Sequence, residues 1–599
     1  MSMLRFRKPA ADEEGMALVV VVAVAAVLAM LMSILVVVSV NGMKQATSDA
    51  DWNASLAAAY AGIDEYQSRL AADTTYYRFG NPSSSFSGST VQTPPIVNPA
   101  FGVGVSGTWA TVPGSDGRAQ FRYEVDNSKY GTTGRIRVRA TGKVGNATRT
   151  IVADLKQQGF IDFLYFTDFE AQDPAIAGTS SASCFTDATM TTLKYSWAGR
   201  PMGATCREIA FGPNDINNGP VHTNDTLRAC GSTFNGTVTT AKSTAPFAVN
   251  RDSNGTACAA PTFALAGSPS YSGELIGMPA TNSELKKETR TDLTATDVPR
   301  PGCLYTGPTQ FTFFADGTVN IKSPFTKATR IGNAAATTGS APAACGSIAQ
   351  LQSVTGATIT VPENNVIYVQ NVPAVTTDVN YWLPGVNPGN FTCTDSGSAS
   401  IRGWRFGTGA NPPGYPLRTG NAATTEVAPT STTYGCRSGD IFVSGVFNGS
   451  ATLSAENYAF VVDDLTYADV QDDMLGLVGN NAVWVYNPLN SAGANIKGDN
   501  RTIHAAILSV AHTFQVQNYN AGGPQGTLTV RGAIAQKFRG TVATANSAGI
   551  ATGYAKNYVY DTRFKYMAPP KFLNPVTTTY GVTTWIESAP VFRADGSSP

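Results

Sequence analysis

The stretch "EGMALVVVVAVAAVLAMLMSILVVVSV", Glu14–Val40, decides the first element of the fold. Three carboxylates (Asp12, Glu13, Glu14) meet one glycine, Gly15, and from Met16 to Val40 the next 25 residues hold no charge, no glycine and no proline. A bilayer core is spanned by roughly 20 apolar residues in helical form. The apolar part of a secretory signal is about 7–15 residues, so this run exceeds an ordinary signal. No second run of this length follows. Arg5, Arg7 and Lys8 precede it, and the positive-inside rule leaves that end in the cytoplasm. Hydropathy alone therefore predicts a membrane helix at residues 16–40, with everything after it outside the cytoplasm. It leaves a plain signal anchor open.

The residues beyond the run extend the helix and supply its partner. Trp52, Leu56, Tyr60, Ile63, Tyr66 and Leu70 are spaced by 4, 4, 3, 3 and 4, which is one face of an α-helix. Met16 to Ala72 reads as one helix, apolar all round at first and striped later, with Asn41-Gly42 as a candidate kink. Three alternating runs follow: "RAQFRYEV" (Arg118–Val125), "RIRVRATGKV" (Arg135–Val144) and "RTIVADLKQ" (Arg149–Gln157). Period-2 alternation with Gly and Asn turns between predicts an antiparallel meander with one wet face. The helical stripe is expected to pack on it.

A short basic leader, a bordering glycine, a long apolar helix, an amphipathic extension and a meander together resemble a type IV prepilin, over about residues 1–158. The resemblance implies that a prepilin peptidase cuts between Gly15 and Met16. It implies a single-pass membrane stage through residues 16–40 and later packing against other pilin subunits in a filament of the bacterial cell envelope. The leader's charges would then be discarded because a filament core cannot hold them unpaired. Two features depart from the major subunits of that family, which usually carry phenylalanine directly after the cut and glutamate four residues further. Here Met16 and Val20 stand there. The missing glutamate and the length of 599 residues resemble minor pilins and pseudopilins, notably those at a filament tip. The function implied is a structural subunit of a type IV pilus or a type II secretion pseudopilus, serving assembly, adhesion or secretion.

Past residue 158 the composition changes. The fold class expected is α+β: the long helix on its meander, then a large all-β region. Cys184, Cys206, Cys230, Cys258, Cys303, Cys345, Cys393 and Cys436 all lie between 184 and 436. An even set outside the cytoplasm predicts disulfides. Of 105 pairings, the nearest-neighbour set is the simplest expectation. From Gly439 short strands recur: "GDIFVSG", "NYAFVVDDL", "GNNAVWVYN", "TIHAAILSV", "GTLTVRGAIAQ". They predict a parallel β-solenoid. The irregular period leaves a β-sandwich open. "GPVHTND" (Gly219–Asp225) and "GTVNIKS" (Gly317–Ser323) read as further rungs. The domains expected are a leader (1–15), a pilin-like part (16–158), a Cys-rich, loop-rich β region (159–438) and a solenoid-like part (439–599).

Little in the sequence points to catalysis. Charged residues are 14% of the chain, with 42 basic against 42 acidic, so nothing global favours nucleic acid. There are three histidines, His222, His504 and His512, no CxxC and no GxSxG. The reading therefore holds no catalytic, cofactor or metal residue. Asp463, Asp464, Asp469, Asp472 and Asp473 lack calcium-loop spacing and read as a solvated turn. Arg135, Arg137 and Arg139 read as a wet sheet face rather than a DNA contact. Two rivals to the pilus subunit remain: a signal-anchored surface adhesin with its own ligand, and a surface enzyme acting on polysaccharide, which would need paired carboxylates on one solenoid face.

Overall fold

The computed structural model describes residues 14–598 except 74, 88–90, 104–107, 131–133, 158, 178–180, 204, 273–274, 296, 396–401, 410, 430–433, 547–548 and 576–579. The leader before Glu14 lies outside the described residues. The chain forms a long N-terminal helix followed by a large, sheet-rich region, divided into two compact units. The first holds residues up to Ser128, Ile136–Leu155 and Val582–Pro599. The second holds Lys129–Arg135 and Lys156–Gly581.

In the first unit, helix α1 runs unbroken over Glu14–Ala72, through Asn41-Gly42. A sheet follows, built from β1 (Ala110–Thr111), β2 (Ala119–Asp126), β3 (Arg135–Val144) and β4 (Ala147–Gln157). β2 and β3 are antiparallel, with Tyr123 opposite Ala140 and Val125 opposite Val138. Phe121, Tyr123, Val125, Ile136, Val138, Ala140, Ile151, Ala153 and Leu155 are buried, as the alternation predicts. A fifth strand, Tyr580–Ser588, pairs beside β4. The end of the chain thus returns to the first unit's sheet after more than 400 residues. The expected solenoid-like part at 439–599 is corrected accordingly, because residues 582–599 pack in the first unit.

The helical stripe also needs correction. Ile63, Tyr66 and Leu70 are fully buried, but Trp52 and Tyr60 are exposed. Ser55, Ala58 and Ala59 are buried in their place. The cause is close approach: a Cβ on Gly142 of β3 would lie 2.1 Å from the Ser55 carbonyl oxygen and 2.2 Å from the Ala59 nitrogen. Backbone meets backbone there, so small residues form the contact and the large ones are displaced sideways. Further up the sheet Gly62 lies against Phe121, and the seam opens enough for Ile63 and Tyr66.

The second unit is a continuous stack of mostly parallel strands. One ladder runs Cys303, Ile367, Leu453, Leu477, Ile507, Ile534, Tyr165, Val221, Val238, each residue beside the next. A second runs Phe311, Val443, Val461, Val485, Val516. Both ladders are buried and line one core. Stack order is not chain order: strand Tyr165–Phe169, the earliest, lies beside Pro524–Phe538, one of the latest. The expected boundary at residue 438 therefore does not divide the sheet, which extends on both sides of it.

Both faces of the second ladder are covered. Phe442, Phe460 and Trp484 alternate with the inward valines, point away from that core, and are still buried. They pack with Trp404, Tyr415 and Tyr434 from residues 391–434, with Tyr415 stacked on Phe442 at 4.3 Å and Phe442 on Phe460 at 4.9 Å. Two-sided burial is why "NYAFVV" and "NAVWVY" read as nearly unbroken apolar runs. The segment "GTVNIKS" is no parallel rung: Thr318–Lys322 pairs antiparallel with Thr309–Phe313 and Ala357–Thr360. Asp316-Gly317 makes the reversal, with Gly317 at φ +81° and Asp316 Oδ1 accepting from the Thr318 nitrogen at 3.0 Å. Asp-Gly is a hairpin signal.

Four disulfides join consecutive cysteines: Cys184–Cys206, Cys230–Cys258, Cys303–Cys345 and Cys393–Cys436. They close sequence separations of 22 to 43 residues, for which chain entropy gives about 3–4 kcal/mol each.

Candidate assembly surface

The surface that asks for a partner is on α1. Its lower half, Leu18 to Val40, is apolar and exposed on every side, with Leu18 at 67% and Met30 at 71%. The helix is long and apolar enough to cross a membrane, with a mean hydropathy of 3.1 in its best window and no part of that window buried by the chain. Water would penalise each of these side chains by about 1.5–3 kcal/mol relative to burial, so lipid or other helices must cover them. Gly15 and Met16 lie in the first turns of this helix. Val20 sits on its apolar surface, 58% exposed.

Above the apolar run the helix meets the head. A groove of about 530 Å³ opens between α1 and the β3–β4 turn, lined by Val40, Met43, Lys44, Thr47, Ser48, Asp51, Gly145, Asn146 and Ala147. Higher still, the displaced aromatics find polar and aromatic neighbours. The Arg149 guanidinium lies 5.1 Å from the Trp52 ring centre and makes a bidentate pair with Glu587, both contacts 2.7 Å. Trp585 of the returning strand meets Tyr60 edge to face at 4.9 Å. Sequence reasoning missed this group, because Trp585 and Glu587 have no local signal tying them to the helix. A separate apolar point, Ile96-Val97, is 82% and 80% exposed between prolines. It is anchored by buried Asn98, whose amide donates to Tyr76 Oη at 2.9 Å and Tyr123 Oη at 2.6 Å.

The residues weighed for chemistry have structural partners. Asp463 takes Lys497 at 2.8 Å and Arg501 at 2.7 Å. Asp464 accepts from the Thr502 nitrogen, and Asp473 from the nitrogens of Gly449 and Asp469. The expected solvated turn is thus largely a set of caps and ion pairs. Arg137 forms a bidentate pair with Asp154 at 2.7 and 3.0 Å, and Arg139 contacts Glu124 at 2.7 Å, so these two cations are held within the sheet.

His222 is buried, stacks with Phe163 at 5.0 Å and bonds Thr239 Oγ1 at 2.9 Å. Burial pushes its pKa down to about 4. His504 Nδ1 accepts from the Tyr467 nitrogen at 3.1 Å, and burial lowers its pKa too. His512 Nδ1 lies 2.6 Å from buried Asp173. A buried ionic group unforeseen from sequence joins Arg200 to Glu208 at 2.9 Å and to Asp225 at 2.6 Å, with Arg228 also on Glu208. Buried charges are tolerated when paired in this way. Cys393, Asp395 and Cys436 come close enough for a metal, but the two sulfurs are bonded to each other.

No family model matches the chain, and no curated protein matches it. Among solved structures it is similar to the crystal structure of the competence-associated pilin ComZ from Thermus thermophilus. The identity is 11%, over 90% of this chain and 97% of that one, with a TM-score of 0.24. At that score the two backbones diverge too far for the match to bear on fold or function.

Proposed function

We propose that this chain is a minor, non-enzymatic subunit of a type IV pilus or a related secretion pseudopilus in the bacterial cell envelope. One observation carries the reading: α1 is a single helix whose lower half is bare and apolar on all sides while its upper half docks on an antiparallel sheet. Such a helix satisfies its own backbone in lipid and can exchange lipid for neighbouring helices without rebuilding the head. On this reading a prepilin peptidase releases the chain after Gly15, residues 16–40 hold it in the membrane until assembly, and other pilin subunits then cover them. The stacked second unit is read as a β-solenoid, supported by its parallel ladders, and it offers its outer surface to a ligand beyond the cell. Val20, in place of an acidic residue, favours a scarce subunit at the filament end.

The pairing of Asp463 and Asp464 with cations and backbone supports a structural role over polysaccharide chemistry. The signal-anchored adhesin shares the same helix and is separated from this reading by experiment. Filaments sheared from cells should carry the protein, and immunogold label should mark their ends. In cells without prepilin peptidase the chain should stay in the membrane at full length. A chain that stays membrane-bound whether or not the peptidase is present would establish the anchored adhesin instead. Uniform labelling along the shaft would remove the tip assignment alone.

A further inference from the structure

The groove at the top of the apolar run is graded in chemistry along the helix axis. Val40 and Met43 line its lower end, Lys44 follows, then Thr47 and Ser48, and Asp51 closes the top. Val40, Lys44, Thr47 and Asp51 recur at spacings of 4, 3 and 4, so they share one helix face. At about 1.5 Å per residue, Lys44 stands roughly 6 Å beyond the last apolar residue and Asp51 roughly 10 Å beyond Lys44. The opposite wall is the turn Gly145–Ala147.

Gly145 has φ +57°, and a Cβ there would lie 2.8 Å from Asp51 Oδ2, so glycine keeps the carboxylate open to the groove. Arg118 reaches Asp51 at 3.5 Å while itself 76% exposed, a long surface contact of little strength. Thr47 Oγ1 donates to the Met43 carbonyl at 2.8 Å, which leaves its oxygen as an acceptor.

We propose that this groove holds the head group of a phospholipid that carries both a phosphate and a primary ammonium, of the phosphatidylethanolamine type. The inference rests on the reading of residues 16–40 as membrane-embedded. That placement sets the groove at the level of the head groups in the leaflet facing away from the cytoplasm. The order of groups in the groove is then the order of groups in the lipid. Acyl and glycerol carbons meet Val40 and Met43. The phosphate, just above them, meets the Lys44 ammonium on its flexible stem and the Ser48 hydroxyl. The lipid's ammonium, outermost, meets Asp51 and the Thr47 oxygen. An anionic glycerol head group would satisfy Lys44 but leave Asp51 facing hydroxyls. The groove volume of about 530 Å³ lies within the range of small-molecule sites, about 300–1,000 Å³. Lipid held here would keep the subunit at a fixed depth until other subunits displace it.

The test uses the full chain, extracted from membranes in mild detergent and titrated with phosphatidylethanolamine or phosphatidylglycerol. Native mass spectrometry counts the lipid retained. One phosphatidylethanolamine should be held per chain, at least tenfold more tightly than phosphatidylglycerol. Lys44→Ala should weaken retention of both lipids about tenfold. Asp51→Asn should erase the preference between them. Both positions are at the helix surface, and circular dichroism reports whether the variants fold. Equal retention of the two lipids, retention indifferent to both variants, or retention of a second protein chain in place of lipid would each overturn the proposal. Carbonate extraction of the same membranes tests the underlying reading. A chain that resists extraction yet holds no phosphatidylethanolamine defeats the lipid site alone, and a chain that is extracted defeats both.

Discussion

Replacing Gly142 by alanine puts the docking of the helix on its sheet under direct strain. The new Cβ would stand 2.1 Å from the Ser55 oxygen, 2.2 Å from the Ala59 nitrogen and 2.7 Å from the Ala58 carbonyl carbon. All three are backbone atoms of α1, so no side chain can swing aside. Ordinary contact begins near 3.4 Å, and the helix must retreat by about 1.3 Å. Overpacking of this kind costs about 1–3 kcal/mol. A gap of about 0.5–1 Å elsewhere along the seam forfeits a quarter to a half of the dispersion energy there, which affects Ile63, Tyr66 and Leu70. Removing a glycine from a strand returns about 0.5 kcal/mol.

The net expectation is a loss of about 2–4 kcal/mol, localised to the helix–sheet contact. Hydrogen exchange reads it directly: amides of residues 55–70 should exchange about 30- to 700-fold faster. Gly42→Ala is the control. Nothing lies within 4 Å of a Cβ there, and alanine in a helix interior stabilises by up to about 1 kcal/mol, so protection around residue 42 should rise. Unchanged exchange over residues 55–70 in Gly142→Ala would mean that the helix does not lie on β3 as described.

Replacing Gly15 by isoleucine should leave uncut precursor in the membrane, seen as a larger band on immunoblots. Dithiothreitol should open protease sites between about residues 180 and 440 while the strands from Ile441 to Phe538 persist, since no disulfide closes that span; mass spectrometry of the fragments checks it. His222 gives a pH signature. Its folded pKa, about 4, lies below its ordinary 6.5, so the unfolded chain binds the extra proton between those values. Its contribution is present above pH 6.5 and is lost as pH falls toward 4, by up to roughly 3 kcal/mol. Urea midpoints measured from pH 7 to 4 should fall less steeply in His222→Gln than in the parent chain.

The parts of the fold legible in the sequence are those fixed by local pattern. Met16–Val40 is a helix by length and composition, and Phe121, Tyr123 and Val125 share a buried face by alternation. The consecutive cysteines close local loops. What stayed hidden depends on distant partners. Trp52, Leu56 and Tyr60 have the spacing of a buried stripe, but Gly142, about 80 residues later, brings β3 against Ser55 and Ala59 instead. The last strand, around Trp585, pairs with β4 across the whole second unit. Tyr165 joins Ile534 in the stack although one opens the unit and the other nears its end. The hairpin at Asp316-Gly317 was readable in its two turn residues. The groove was half readable: Lys44 and Asp51 are two turns apart on one face, but the wall that makes them a site is the turn at Gly145.

The most direct test of the account is the N-terminal sequence of the protein taken from its native envelope. A pilin-type subunit begins at Met16, with Ala17-Leu18-Val19-Val20 following. A chain that begins at Met1 or Ser2 keeps its charged leader, cannot enter a filament core, and contradicts the account.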